Sequence, residues 1–291
     1  MFQPSLFRDS TDHVVNVASV PQRSPFRYPG GKTWLVPRIR TWLTSLSSTP
    51  SMFFEPFAGG AIVGLTVAFE KLARHVTIVE IDAGVSAVWK TILSDEAPWL
   101  ADQIENFVIS PETVSRALSL TPSTTRELAF QTILANRTNR GGILAPGAGR
   151  IKTGEAGKGI ASRWYPKTLS RRILDIYKIR DRLTFIEGDG IAIIQQNASR
   201  QDAVFFIDPP YTASGKSAGS RLYTHYQLDH VRLFLEVEKI RGDFLMTYDN
   251  APEVQALAHE HHFAVRLIAM KNTHHEKKKE LLIGRNLQWL D

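Results

Sequence analysis

Cysteine is absent from all 291 residues, which excludes disulfides, thiolate zinc sites and cysteine nucleophiles. No apolar run approaches the ~20 residues of a membrane span, and the first residues lack the basic start and continuous apolar core of a signal peptide. A cytoplasmic protein is expected, with no membrane partner and no bound metal. Internal repeats are missing too. So is the G-x-G-x-x-G spacing of a dinucleotide fingerprint, which argues against a nicotinamide oxidoreductase. At 43% hydrophobic residues the chain can bury a full core, and its length suits one α/β domain carrying an insertion. Residues 1–25 read as a polar, Pro/Ser-containing leader, expected to be loosely ordered.

What is present gathers in three motifs. The tetrad Asp208-Pro209-Pro210-Tyr211 ends the apolar run Ala203-Val204-Phe205-Phe206-Ile207. An amino group conjugated to an aromatic ring is a poor nucleophile. Two acceptors on its hydrogens, a carboxylate and a backbone carbonyl, favour drawing its lone pair out of the ring. Asp208 supplies the carboxylate. Each proline fixes its own φ and restricts the residue before it, so the Pro209 carbonyl is aimed in advance. Tyr211 offers a flat face on which a base can stack. For the tetrad alone, a proline-rich turn after a buried strand is the plain alternative.

The second motif runs from Phe53 to Gly64 as a short buried strand, the turn Glu55-Pro56-Phe57-Ala58-Gly59-Gly60, and a helix beginning near Gly60. Doubly wound sheets open nucleoside sites this way, because glycines let the backbone approach the ligand. The next strand, Val76 to Ile81, ends at Asp82, where a carboxylate takes ribose hydroxyls or caps the helix expected from Ala83 to Leu93. The third motif, Phe26-Arg27-Tyr28-Pro29-Gly30-Gly31-Lys32-Thr33, precedes a helical pattern with Trp34, Leu35, Ile39, Trp42, Leu43 and Leu46 on one face. It lacks the first glycine of a Walker loop. Lys32 reads as a cation held near a carboxylate.

In content and order these motifs resemble those of the Dam-type (D12 class, alpha group) N6-adenine DNA methyltransferases, from about Phe26 to the C-terminus. The resemblance implies an α/β, Rossmann-like class I methyltransferase sheet with a mainly helical target-recognition insertion. The catalytic domain would span residues 26–95 and 183–291, with the insertion over 96–182. It implies S-adenosyl-L-methionine as cofactor, contacted by Tyr28, Gly30, Gly31, Lys32, Glu55, Pro56, Phe57, Ala58, Gly59, Gly60, Asp82, Asp189 and Asp208. Asp208, Pro209, Pro210 and Tyr211 would hold an adenine flipped out of the duplex. The expected partners are double-stranded DNA and, acting separately, a cognate restriction endonuclease, with the free protein a monomer. Two alternatives stay open: an RNA N6-adenine methyltransferase, and a catalytically silent DNA-binding relative.

The net charge of +6 is unevenly placed, since Asn136 to Arg182 holds twelve Lys or Arg against three acidic residues. The stretch Arg137 to Gly159 is glycine-rich and without periodicity. It reads as a long cationic loop between helical stretches Thr124 to Ala135 and Pro166 to Arg180. Arg137, Asn139 and Arg140 are expected on base edges, and Arg150, Lys152, Arg171 and Arg172 on phosphates. The run Asn136 to Pro146 keeps only the Arg-x-Asn start and a glycine of the pattern that accompanies GATC recognition, so another site is expected. His259-Glu260-His261-His262 reads as a surface helix end. His274 to Lys279 reads as a tip between strands Phe263 to Met270 and Glu280 to Gly284. The segment Thr212 to Tyr223 is either a loop closing over a base or a plain surface loop.

Overall fold

Residues 17–28, 30–210, 228–271 and 277–291 are described by the structure, a computed structural model. Tyr211, the segment 212–223, the tip residues His274, His275 and Glu276, and residues 1–16 of the leader lie outside them.

The strand Ala203–Ile207 (β4) is buried at every position, as a run of apolar residues without alternation requires of a central parallel strand. Around it stand β1 (Met52–Glu55), β2 (His75–Glu80), β3 (Leu183–Glu187), β5 (Asp243–Asp249), β6 (Ala264–Lys271) and β7 (Lys277–Gly284). They form a seven-stranded sheet in the order β3-β2-β1-β4-β5-β7-β6. Neighbours from β3 to β5 pair in parallel, and β7 alone is reversed between β5 and β6. This is the Rossmann-like sheet expected from the sequence. The strand order turns back between β1 and β4, so a crevice opens beyond their carboxyl ends, where such sheets take ligands.

Side chains alternate across the sheet, and each face has its own cover. Phe53, Val76, Val204 and Phe206 face α1 (Val36–Ser45), α2 (Ile62–Glu70) and α3 (Ala83–Ile92). Phe54, Val79, Phe205 and Ile207 face α8 (Gly190–Asn197), α9 (His230–Glu238) and α10 (Pro252–Glu260). Between α3 and β3 the chain makes α4 (Ala97–Asn106), α5 (Pro111–Ser119), α6 (Thr125–Thr138) and α7 (Pro166–Lys178). These helices share a core with the catalytic layer: Leu100, Ile133 and Ile173 join Val88 and Trp89 of α3 in one cluster. Among the described residues, no helix is long and apolar enough to cross a membrane.

Two local expectations differ from the structure. α6 starts from a reciprocal cap, with Thr124 Oγ1 accepting from Glu127 N and Glu127 Oε2 accepting from Thr124 N, and it runs to Thr138. Arg137 and Thr138 therefore belong to a helix and not to the cationic loop. The leader is also anchored earlier than its composition indicates. Val20 and Ser24 are buried, Arg172 donates to the Ser24 carbonyl at 3.0 Å, and Arg137 donates to that of Pro25.

Candidate active site

The crevice at the strand reversal is a cavity of about 740 Å³. At the end of β1, Glu55 is buried and accepts from Gly64 N at 2.7 Å. The turn that follows is held by three bonds. Ala58 N donates to the Val79 carbonyl at 2.9 Å, Gly59 N to Glu80 Oε2 at 2.9 Å, and Trp89 Nε1 to the Gly59 carbonyl at 2.9 Å. Gly59 sits at φ +46, and a Cβ there would lie 2.5 Å from the Tyr28 ring. Glycine is thus what lets Tyr28 close against the turn.

Glu80, which the sequence reading passed over, organises the next corner. Its Oε1 accepts from Ile81 N at 2.8 Å and from Asp82 N at 2.9 Å, while Oε2 holds Gly59. One carboxylate therefore ties the glycine turn to the segment carrying Asp82. Burial raises the Glu80 pKa, and the three backbone donors oppose that rise. Asp82 caps α3 by accepting from Val85 N at 3.0 Å and lines the cavity as well. Asp189 does likewise for α8, accepting from Ile191 N at 3.0 Å.

Asp208, just past β4, is oriented from two sides. Its Oδ1 meets Lys32 Nζ at 2.9 Å and accepts from Thr247 Oγ1 at 2.7 Å. Thr247 follows Met246, the register partner of Ile207, so the pairing of β4 with β5 places it there. Lys32 is 2% exposed, donates to the Gly30 carbonyl at 3.0 Å, and lies 3.7 Å from Glu280 Oε2. Burial opposes its charge, but Asp208 and then Glu280 hold its pKa above the ordinary value. Glu280 arrives because the reversed β7 pairs it with Asp249, at the carboxyl end of the parallel strands. Burial pushes its carboxyl up to about 7, partly offset by Lys32 and reinforced by Asp208 and Asp249. One ammonium is shared among carboxylates, and the shorter contact goes to Asp208.

Glu55 is raised to about 8 by burial, with the Gly64 bond opposing and Asp208 adding to the rise. Folded Glu55 therefore keeps its proton up to about pH 8, whereas the unfolded carboxyl releases it near 4.5. Between these values the folded state binds more protons, so this group's contribution to stability falls as pH rises. Glu55→Gln should shrink the loss of stability between pH 5 and pH 8 by on the order of a few kcal/mol, read from denaturant midpoints at the two pH values. An unchanged difference would mean that Glu55 is ionised in the fold throughout.

Every expected cofactor contact lines this cavity, as do Asp208, Pro209 and Pro210. The expected DNA contacts divide. Arg140, Arg150, Lys152 and Arg171 are exposed and outside the cavity, whereas Arg172 lines it. Arg137 and Asn139, expected on base edges, are both buried. Arg137 is used on the Pro25 carbonyl. Asn139 donates to the Ile143 carbonyl at 2.7 Å and accepts from Arg150. Neither stands on the outer surface: Asn139 is spent on its own loop, and Arg137 lines the cavity. At the end of α10, His261 is buried and pairs with Glu238 at 3.0 Å.

A family model, that of the D12 class N6 adenine-specific DNA methyltransferases, matches residues 28–124. Comparison with curated proteins gives no match. Among solved structures the chain is similar to an rRNA methyltransferase of Streptomyces viridochromogenes, at 12% identity over 97% of each chain and a TM-score of 0.40. It is also similar to a precorrin-6y C5,15-methyltransferase of Geobacter metallireducens, at 9% identity over 96% of this chain and 95% of that one, with a TM-score of 0.35. Neither likeness bears on substrate. The matched segment holds the Gly-Gly-Lys motif, the glycine turn and Asp82, so it is the part of the chain carrying the cofactor-side motifs that is similar to the D12 class.

Proposed function

We propose that the protein methylates N6 of an adenine flipped out of double-stranded DNA, with S-adenosylmethionine as donor. The observation that carries this reading is Asp208 and Pro209 side by side in the lining of the crevice, with the carboxylate turned by Lys32 and Thr247. The residues present fit the donor. A glycine turn, Asp82 and Asp189 suit a nucleoside, and carboxylates in the lining suit a group bearing an ammonium and a sulfonium. When bound, S-adenosylmethionine supplies an electrophilic methyl group.

The protein's own part is positioning. Asp208 and the Pro209 carbonyl accept the two N6 hydrogens, which brings the lone pair out of conjugation with the ring. Lys32 and Thr247 fix the carboxylate before substrate arrives, so little reorganisation remains for the transition state. Asp208 takes no proton in advance, because the methylated amine is acidic and loses its proton afterwards, through Asp208 to water. Tyr211, outside the described residues, is assigned the stacking face by resemblance alone.

The test is transfer of tritiated methyl from the purified protein to duplex DNA, single-stranded DNA and RNA, with the labelled nucleoside identified after digestion. Label in N6-methyldeoxyadenosine from duplex DNA is expected, whereas label only in RNA would overturn the choice of substrate. A second expectation concerns the donor. Asp82→Ala should weaken S-adenosylmethionine by about 1.5 to 3 kcal/mol, the scale of a charge-assisted hydrogen bond, without changing the modified sequence. Calorimetric titration decides it, and an unchanged dissociation constant would leave Asp82 as a helix cap only.

A further inference from the structure

The cavity has two walls of opposite charge. Asp82 and Asp208 stand at the strand ends, while Arg27, Arg137, Arg163 and Arg172 line the side toward the insertion. Arg137 is 4% exposed, and its buried Nε has no hydrogen-bond partner. After burial, the influences that lower its pKa are the neighbouring Arg172, Arg27 and Arg163. Among the described residues a single carboxylate, Glu155, pairs with this group, and it does so through Arg163. Guanidinium groups gathered without counter-charge destabilise a fold, since removal from water is not offset by attraction. The arrangement is nevertheless firmly built. Asn136 bonds the backbone of Arg27 through both N–H and carbonyl, at 2.8 and 2.9 Å. At Gly142, φ +77, a Cβ would lie 2.2 Å from the Arg27 carbonyl, so only glycine admits this approach.

We propose that Arg27, Arg137, Arg163 and Arg172 form an anion subsite inside the cavity that takes a backbone phosphate beside the target base. The inference rests on the proposed nucleic-acid substrate. A phosphate suits the site better than the donor's own carboxylate does, because the cations continue outward: Lys167 and Arg171 are exposed on the same helix that turns Arg172 into the cavity. A cationic track leading from the surface into a pocket fits a polyanionic strand whose base has left the stack. The subsite anchors the displaced nucleotide by its backbone while Asp208 and Pro209 hold the amine. It thereby offsets part of the unstacking cost without reading sequence.

The probe is 2′-deoxyadenosine 3′,5′-bisphosphate, which carries both phosphates flanking a target base. Against protein saturated with S-adenosylhomocysteine it should bind at least about tenfold more tightly than 2′-deoxyadenosine, the scale of one charge-assisted contact. Arg172→Gln and Arg163→Gln should each remove most of that gap, while affinity for unphosphorylated deoxyadenosine stays within about twofold. Equal binding of the two probes, or a gap that survives both substitutions, overturns the proposal. So does a loss of S-adenosylhomocysteine affinity in the variants with the gap intact, since the arginines would then serve the cofactor's carboxylate. No methyl transfer is read, so failure here is distinct from failure of the proposed reaction.

Discussion

Asp208→Ala should lower methyl transfer by about 10²-fold or more while leaving S-adenosylmethionine affinity within a few-fold, because the residue is assigned to the target amine. The fold should tolerate the change. Lys32 keeps the Gly30 carbonyl at 3.0 Å and Glu280 at 3.7 Å, so the cation is not stranded when Asp208 is lost. Asp208→Asn keeps an acceptor oxygen without the charge and should retain more activity than the alanine variant. Turnover with tritiated donor separates the cases. Normal turnover in Asp208→Ala would remove the carboxylate from the reaction altogether.

The second large effect is on stability. Lys32→Met removes the ammonium that lies between Asp208 and Glu280, leaving carboxylates at the end of the parallel strands without it. Breaking a buried pair from one side costs about 3–5 kcal/mol, mostly through the charge left behind, and a loss of that size should appear in urea unfolding. Adding Glu280→Gln to Lys32→Met should recover part of it, because one of the abandoned carboxylates is then neutral. A loss under about 1 kcal/mol in the single variant would show that the pair is not a stabilising feature. The same experiment bears on the site, since Lys32 also fixes the Asp208 carboxylate.

How much of this was legible in the sequence follows from the kind of signal each residue leaves. β4 matches its sequence bounds at Ala203 and Ile207 because burial on both faces leaves an unbroken apolar run, and the prolines after it stop the strand. The glycine turn was legible for a similar reason, since Gly59 alone admits the Tyr28 ring. Glu280 and Thr247 were not legible. They reach Asp208 through the register of β5 with β4 and of the reversed β7 with β5, which no local pattern encodes. Glu80 left a signal that went unused: a carboxylate ending an apolar strand two residues before Asp82. The burial of Arg137 and Asn139 was not legible, because arginine and asparagine next to glycines resemble a surface loop. The capped helix α6 carries Arg137 inward to Pro25, a partner distant in the chain. That a cation is present was readable, whereas the face it takes depends on packing.

The most direct test of the central claim is to map N6-methyladenine in a plasmid carried by a methylation-free host that expresses this chain. Methylated adenines should appear within one short sequence context and vanish when the host expresses Asp208→Ala. The context should differ from GATC, so that an endonuclease requiring methylated GATC leaves the plasmid uncut. A plasmid free of N6-methyladenine, from a host in which the protein is folded and binds S-adenosylmethionine, would contradict the account.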